Sequence, residues 1–273
     1  MAEHITAGPP SSLTDAHTVK NFSGLSVIII TKNEAHNIRA CLESVAWADE
    51  IIVVDSGSTD STVAICREFT PHVSIHDWPG FGAQKNRALG YATKKWILSL
   101  DADERVTPEL ASQLGKAMAD DNADGFYLPR LSQFCGQFIH HSGWYPDYVL
   151  RLFKREKGRF SNDLVHESVI LQGSTGKLSS PLLHYSYMTV DDVERKVNQY
   201  SSAAAQQMFN KNKAASGVDA PVRAAWAFIR TYFLRLGFLD GIAGFNVARM
   251  NARTTYLKYT KLKVLRSIRK NNC

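Results

Sequence analysis

Four short apolar runs, each closed by polar or acidic residues and separated by helix-patterned stretches, set the architecture of this chain. LSVIIITK (25–32) lies between Gly24 and Asn33 with almost no polar alternation, as a strand covered on both faces does. Ile38, Leu42 and Val45 then recur at helical spacing and predict a helix over 34–46. IIVVDSGSTD (51–60) is the second run, with Ser58 or Thr59 placed to cap a helix over 60–69. VSIHDW (73–78) leads into GFGAQKNRALGYA (80–92), a loop entering a helix. WILSLDADE (96–104) precedes TPEL (107–110), whose threonine and proline mark another helix start. Strand and helix alternating at this rhythm predict an α/β fold, a mostly parallel sheet with helices on both faces.

The pattern changes after residue 120. GFYLPRLSQF (125–134) and YVLRLFKREKGRF (148–160) read as strands, the second turning at Lys157 and Gly158, and 161–187 is mixed strand and loop. Residues 189–268 are helix-patterned, with Pro221, Gly237, Gly241 and Gly244 as the expected breaks. The division is therefore a flexible leader (1–23), a catalytic domain (24–188) and a basic helical appendage (189–273). The leader has neither a basic start nor an apolar stretch, so it does not read as a secretory signal. Four scattered cysteines with no CxxC pair exclude a disulfide scaffold and a Cys-rich zinc module, and fit a reducing compartment. With 44% hydrophobic and 21% charged residues over 273 positions, the chain can bury a full core without such staples.

Charge divides the chain unevenly. Up to residue 190 there are 17 Lys and Arg against 21 Asp and Glu; from 191 onward the ratio is 15 against 5. AAWAFIRTYFLRLGFL (224–239) is nearly apolar apart from Arg230 and Arg235, and 241–273 carries eight basic residues and no acid. No run of 18 apolar residues occurs, so a spanning helix is not expected. A basic, partly apolar tail fits the surface of an anionic membrane, with contact between subunits in a homo-oligomer as the other reading. Nucleic acid is not the expected partner, since no recognised nucleic-acid-binding motif or zinc spacing is present.

The chemistry is carried by acids at strand ends. Asp55 closes IIVVD, and Asp101 and Asp103 close WILSLDAD. In open α/β sheets ligands bind outside the carboxyl ends of the strands, so these three acids are expected to open onto one pocket. Alternation places Asp101 and Asp103 on one side and Ala102 on the other. Two close carboxylates are tolerated best with a cation between them and their ligand, and Mg²⁺ or Mn²⁺ suits hard oxygens and a diphosphate. GSTDST (57–62) offers turn N–H groups for phosphate, while Walker A and GxGxxG loops are absent. Lys85 and Arg87 are placed to neutralise a diphosphate. Trp144, Tyr145 and Tyr148 are placed either to line a sugar site or to pack. Glu167 is a lone carboxylate in an apolar setting, and His184 is either a further metal ligand or a hydrogen-bonded core histidine.

Taken in order, SVIIITKNEAHNI, IIVVDSGSTDST, GFGAQKNRAL and ILSLDADE resemble the family 2 glycosyltransferases of GT-A fold, over about residues 25–190. HHSGWYPDYVLRLFKR, LVHESV and HYSY resemble a narrower bacterial branch, the lipopolysaccharide core glycosyltransferases, including the heptose β-1,4-glucosyltransferase type. The resemblance implies Thr31 and Glu34 beside the nucleotide, Asp55 on uracil or ribose, and Lys85 on the nucleotide side of the cleft, where many relatives carry Arg. It also implies Asp101 on ribose or on water held by the metal, and Asp103 as ligand of the divalent ion. The general base would be an acid from the acceptor side, Glu167 first and Asp147 second.

The activity so implied is inverting transfer of a hexose, glucose favoured, from a UDP-sugar to heptose of a lipid-linked saccharide. It would take place at the cytoplasmic face of the inner membrane. Another nucleotide-sugar transferase of cell-envelope glycans is the alternative. A sugar nucleotidyltransferase is disfavoured because TKNEAHN is not the Gly-rich basic loop such enzymes carry after the first strand.

Overall fold

The computed structural model describes residues 23–161 and 168–271. Strand β1 (Leu25–Thr31) is buried along its whole length, between the parallel strands β2 (Glu50–Asp55) and β4 (Trp96–Asp101). A short β3 (Val73–Ile75) continues the parallel array beyond β2. Because side chains alternate across a strand, Leu25, Val27 and Ile29 enter one core layer and Ile28 and Ile30 the other. The first layer is covered by α1 (Ile38–Ser44), α2 (Thr62–Phe69) and α4 (Pro108–Asp120), the second by α3 (Phe81–Tyr91). Helices on both faces explain why the strands need no polar alternation. The register pairs Thr31 with Asp55 and Ile30 with Asp101, so the polar strand ends sit at one edge of the array.

The rest of the sheet is mixed. Next to β4 comes antiparallel β8 (Asp147–Lys154), then β6 (Gly125–Phe134), β12 (Leu182–Tyr187) and β5 (Glu104–Val106). Strands β7 (Gln137–Phe138) and β11 (Thr175–Lys177) also pair with β6, while β9 (Gly158–Phe160) and β10 (Val169–Leu171) form a separate ribbon. Chain reach dictates the shape here. Strand β5 lies four steps from β4 in the strand order, which is about 19 Å in a flat sheet at ~4.8 Å per step. Yet Asp101 and Glu104 are three residues apart, a reach of at most about 11 Å. This half of the sheet must curl back on itself, and the curl makes a concave surface beside the end of β4.

Helix starts follow their local chemistry. Thr107 caps α4 by accepting from the Leu110 N–H at 3.1 Å, with Pro108 in the first turn. Thr189 and Asp192 form a reciprocal capping box for α5 (Val190–Asn210). Then come α6 (Asp219–Ile229), a π turn over Arg230–Leu234, a 3₁₀ turn over Gly237–Asp240, and α7 (Gly241–Asn271), which packs back on α5 and α6.

The architecture is the expected α/β sheet of GT-A type with a helical appendage, but two expected breaks are corrected. Pro221 sits in the first turn of α6, where its missing N–H costs nothing, and the interruption falls at 211–218 instead. Gly244 lies inside α7, where it lets the helix approach the carbonyl of Gly237.

A Cβ at position 244 would stand 1.8 Å from that carbonyl oxygen. Gly244→Ala should therefore destabilise the protein by about 1–3 kcal/mol, as overpacking does, lowering the thermal midpoint by several degrees. Gly90→Ala in α3, where nothing lies within 4 Å, should instead raise it slightly. Equal melting of both variants and the wild type would contradict the close approach.

Candidate active site

A cavity of about 920 Å³ opens outside the ends of β1 and β4, in the concavity of the curl. Asp101, Ala102 and Asp103 all line it, Ala102 being otherwise buried against the core. Strand β4 ends at Asp101, so a tight turn, rather than continued extension, presents the two carboxylates on one side.

Asp101 is held by a charge cluster drawn from distant parts of the chain. Its Oδ1 lies 2.9 Å from Lys85 Nζ and its Oδ2 2.5 Å from Arg151 Nη2. The same Nη2 reaches Glu104 Oε1 at 2.6 Å, and Glu104 Oε2 accepts the Asp101 N–H at 3.0 Å. Glu104 is fully buried and Arg151 nearly so. Burial works against the charge of Asp101, but Arg151 and Lys85 outweigh it and hold the carboxyl well below its ordinary 3.8. Burial likewise opposes the Arg151 charge, and Asp101 with Glu104 drives its pKa above the usual value. Such clusters are stable only when every charge is partnered, and that requirement locks the position of Asp101.

Asp103 faces a different partner. Its Oδ2 lies 3.3 Å from His184 Nε2, and His184 Nδ1 lies 2.9 Å from the Ser132 hydroxyl. Burial raises the Asp103 pKa, but the hydrogen bond and charge of His184 win, and it falls below the ordinary value. No group of three His, Cys, Asp or Glu is arranged for a metal among the described residues. A carboxylate oxygen beside an imidazole nitrogen, both facing the cavity, still fits a divalent cation that takes its other ligands from a diphosphate and water.

Thr31 and Glu34, both expected beside the nucleotide, line the same cavity. Thr31 is 5% exposed, and its Oγ1 has no hydrogen-bond partner among the described residues, the state of a buried hydroxyl left for a ligand. Burial raises the pKa of Glu34, which accepts from Asn37 Nδ2 at 2.9 Å. Asp147 is also on the wall, where Arg130 Nε and Nη2 converge on its Oδ2 at 3.1 and 2.6 Å. Glu167 lies outside the described residues.

Other expectations are corrected. Asp55 is fully buried and is not on the cavity wall; its carboxylate accepts from Gly57 N–H at 2.9 Å, Ser58 N–H at 2.7 Å and the Ser58 hydroxyl. The three strand-end acids therefore do not share one pocket. Thr59 N–H donates to Asn33 Oδ1, after β1, and Thr62 N–H to Asp60 Oδ1, so with Gly57 and Ser58 on Asp55 four N–H groups of this stretch serve side chains rather than phosphate. Lys85 is 2% exposed behind Asp101, off the wall, and Arg87 turns away to Asp77 at 2.9 Å. Trp144 reaches the wall, but Tyr145 and Tyr148 do not.

Several residues escaped sequence reading. Lys196 of α5 enters the cavity, donates to the Ser186 carbonyl and lies 4.4 Å from the Tyr187 ring centroid; burial pulls its pKa down. Trp78 and Phe81 form an edge-on pair, centroids 4.7 Å apart, on another side. Arg130 and Arg151 carried a signal in the sequence, a permanent charge inside an otherwise apolar strand. Lys196 carried none, since a lysine on a long polar helix is ordinary.

Arg151→Met would leave the buried Glu104 without its close cation and Asp101 with Lys85 alone, so urea unfolding should show a loss of about 3–5 kcal/mol. A loss below about 1 kcal/mol would show that the cluster does not hold the curl. In the wild type the Asp101 contribution is complete above its ordinary value of 3.8, and it is lost only as pH falls through the depressed folded value.

Comparison with known proteins gives the family. Residues 26–172 match the glycosyl transferase family 2. An uncharacterized glycosyltransferase of Rickettsia felis is 30% identical over 255 residues, spanning 88% of this chain and 89% of the relative. The lipopolysaccharide core biosynthesis glycosyltransferase LpsC of Rhizobium meliloti is 30% identical over 251 residues, spanning 87% and 91%. Among solved structures, S. aureus TarS 1–349 in complex with UDP-GlcNAc is similar at 14% identity and a TM-score of 0.45, over 89% of this chain and 92% of that one. With a family match across more than half of its length, and 30% identity to relatives through nearly all of it, the chain belongs to glycosyl transferase family 2.

Proposed function

We propose that this protein transfers a hexose, glucose in the first instance, from a UDP-sugar to a heptose of a lipid-linked lipopolysaccharide core saccharide, with inversion at the anomeric carbon. The observation that carries the reading is Asp101 and Asp103 side by side on one large cavity, the first locked by buried cations and the second beside His184. The core-biosynthesis role in the name of the Rhizobium meliloti relative supports a cell-envelope acceptor. The resemblance to the heptose-glucosyltransferase branch supports the sugar and the acceptor unit. Donor and lipid-linked acceptor would meet at the cytoplasmic face of the inner membrane. No helix among the described residues is long and apolar enough to cross that membrane.

Inverting transfer needs a base for the acceptor hydroxyl and positive charge on the departing diphosphate. Mg²⁺ or Mn²⁺, held by Asp103 and His184, would supply that charge when bound. Lys196, half-buried on the same wall, supplies more without a metal. Thr31 offers its unpartnered hydroxyl to the nucleotide, and Asp101, fixed by Lys85 and Arg151, is placed to receive a ribose hydroxyl. Asp55 acts at one remove, by shaping the turn that follows β2. Asp147 is the second candidate base, its carboxylate held on the wall by two N–H groups of Arg130. Glu167 is the first candidate for the base. It takes the acceptor proton as the hydroxyl oxygen bonds to the anomeric carbon and the bond to the diphosphate breaks, with no covalent enzyme intermediate.

Nucleotide sugars screened with Mn²⁺ or Mg²⁺ against truncated core saccharides should give acceptor-dependent UDP release, greatest with UDP-glucose. Release from no UDP-sugar would sink the proposal. Glu167→Gln should cut turnover by roughly 10²–10⁴-fold with donor binding intact. If it stays active while Asp147→Asn does not, the base is Asp147. Asp103→Ala should abolish the response of turnover to added Mn²⁺.

A further inference from the structure

The segment 222–245 holds ten of the 23 large hydrophobic side chains that stand exposed among the described residues. Val222, Trp226, Ile229 and Phe233 follow one another at steps of four, three and four, a single stripe along α6 and the π turn. Leu239 and Ile242 extend the surface across the 3₁₀ turn into α7, Ile242 being 81% exposed. The surface is built in advance: the Tyr232 ring packs against Phe228, Phe233 and Phe245 at 5.5, 5.1 and 5.8 Å. An apolar patch of this kind on a folded surface marks a site of docking.

Charge identifies the occupant. From residue 220 to the end the sequence has eleven Lys and Arg and one acid, Asp240. Asp240 is 5% exposed and accepts the His140 and His141 N–H groups at 3.1 and 2.9 Å, and Asp219, at the start of α6, is paired with Arg223 at 3.0 Å, so no unpaired side-chain carboxylate stands among the described residues from 219 onward. A symmetric contact between two copies would set this basic rim against itself. An anionic bilayer surface answers both the apolar stripe and the surrounding cations.

We propose that 222–245 is the surface by which this protein docks on an anionic membrane leaflet, with the aromatic and aliphatic stripe entering the interface and the basic residues at the headgroups. The placement suits the acceptor. Met250 and Asn251 line the cavity, and they follow Phe245 on α7 by roughly 8 Å of helix. Docking through the stripe therefore brings the cavity close to the leaflet. The inference extends the lipid-linked acceptor read above, but its test contains neither donor nor acceptor and so stands or fails apart from it.

Sedimentation with mixed phosphatidylglycerol–phosphatidylcholine vesicles, and with phosphatidylcholine alone, provides that test. The wild type should bind the mixed vesicles, more weakly as salt rises and weakly to phosphatidylcholine alone. A variant carrying Phe233→Ser, Leu239→Ser and Ile242→Ser should bind at least about tenfold more weakly, with unchanged gel filtration and far-ultraviolet circular dichroism. Equal binding by wild type and variant, or none by the wild type, overturns the proposal. So does a wild-type dimer that the variant dissociates while vesicle binding is absent, since the stripe would then be an interface between copies.

Discussion

Arg151, closed inside the sheet between Asp101 and Glu104, is the interaction on which the rest of the site depends. It joins β8 to the end of β4 and the start of β5, the two strands that three residues of chain force together across the curl. A curl imposed by chain reach brings the Asp101 carboxylate, on the cavity wall, beside the fully buried one of Glu104. There they repel and are poorly solvated unless a fixed cation answers both. A planar guanidinium that stays charged when buried suits this place better than a lysine would. The fold and the site therefore share one solution: what lets the sheet close also fixes the first acid of the cavity.

Around that centre the cavity is assembled from both parts of the chain. The sheet contributes Thr31, Asp101, Asp103 and His184, and the helical tail contributes Lys196 and Asn251. The join between them is packed rather than loose. Phe134 and Ile139 meet Ala243 and Val247 in one core cluster, and Asp240 ties the tail to His140 and His141. Cations are distributed by depth. Lys85 and Arg151 lie behind the wall and set the position and ionisation of Asp101, whereas Lys196 lies on the wall, beside the Ser186 carbonyl and the Tyr187 ring. A site built this way separates the groups that hold an acid in place from those that line the open space.

The sequence made plain whatever depends on neighbours in the chain. Covered strands, the Thr107 and Pro108 helix start and the paired acids of Asp-Ala-Asp are local patterns, and each has its counterpart in the structure. What it hid depends on partners far away. Asp55 looked equivalent to Asp101, yet a serine three residues on captures it, while residues 16 and 50 positions away hold the other. Lys85 looked free to meet a diphosphate because nothing near it in sequence shows that Asp101 takes its charge. Gly244 looked like a helix break because its reason, the carbonyl of Gly237 seven residues back, is visible only once the 3₁₀ turn leading into α7 has formed. The extent of the exposed stripe along 222–245 needed the structure as well, since an apolar run in sequence is as easily buried as bare.

The proposed function puts a divalent cation against Asp103 and His184, on the diphosphate side of a nucleotide site. Crystals grown with Mn²⁺ and UDP, measured for anomalous scattering at the manganese edge, test it most directly. The account predicts one strong peak in contact with an Asp103 carboxylate oxygen and His184 Nε2, with the diphosphate completing its coordination. UDP bound elsewhere, or manganese seated away from both side chains, would contradict it.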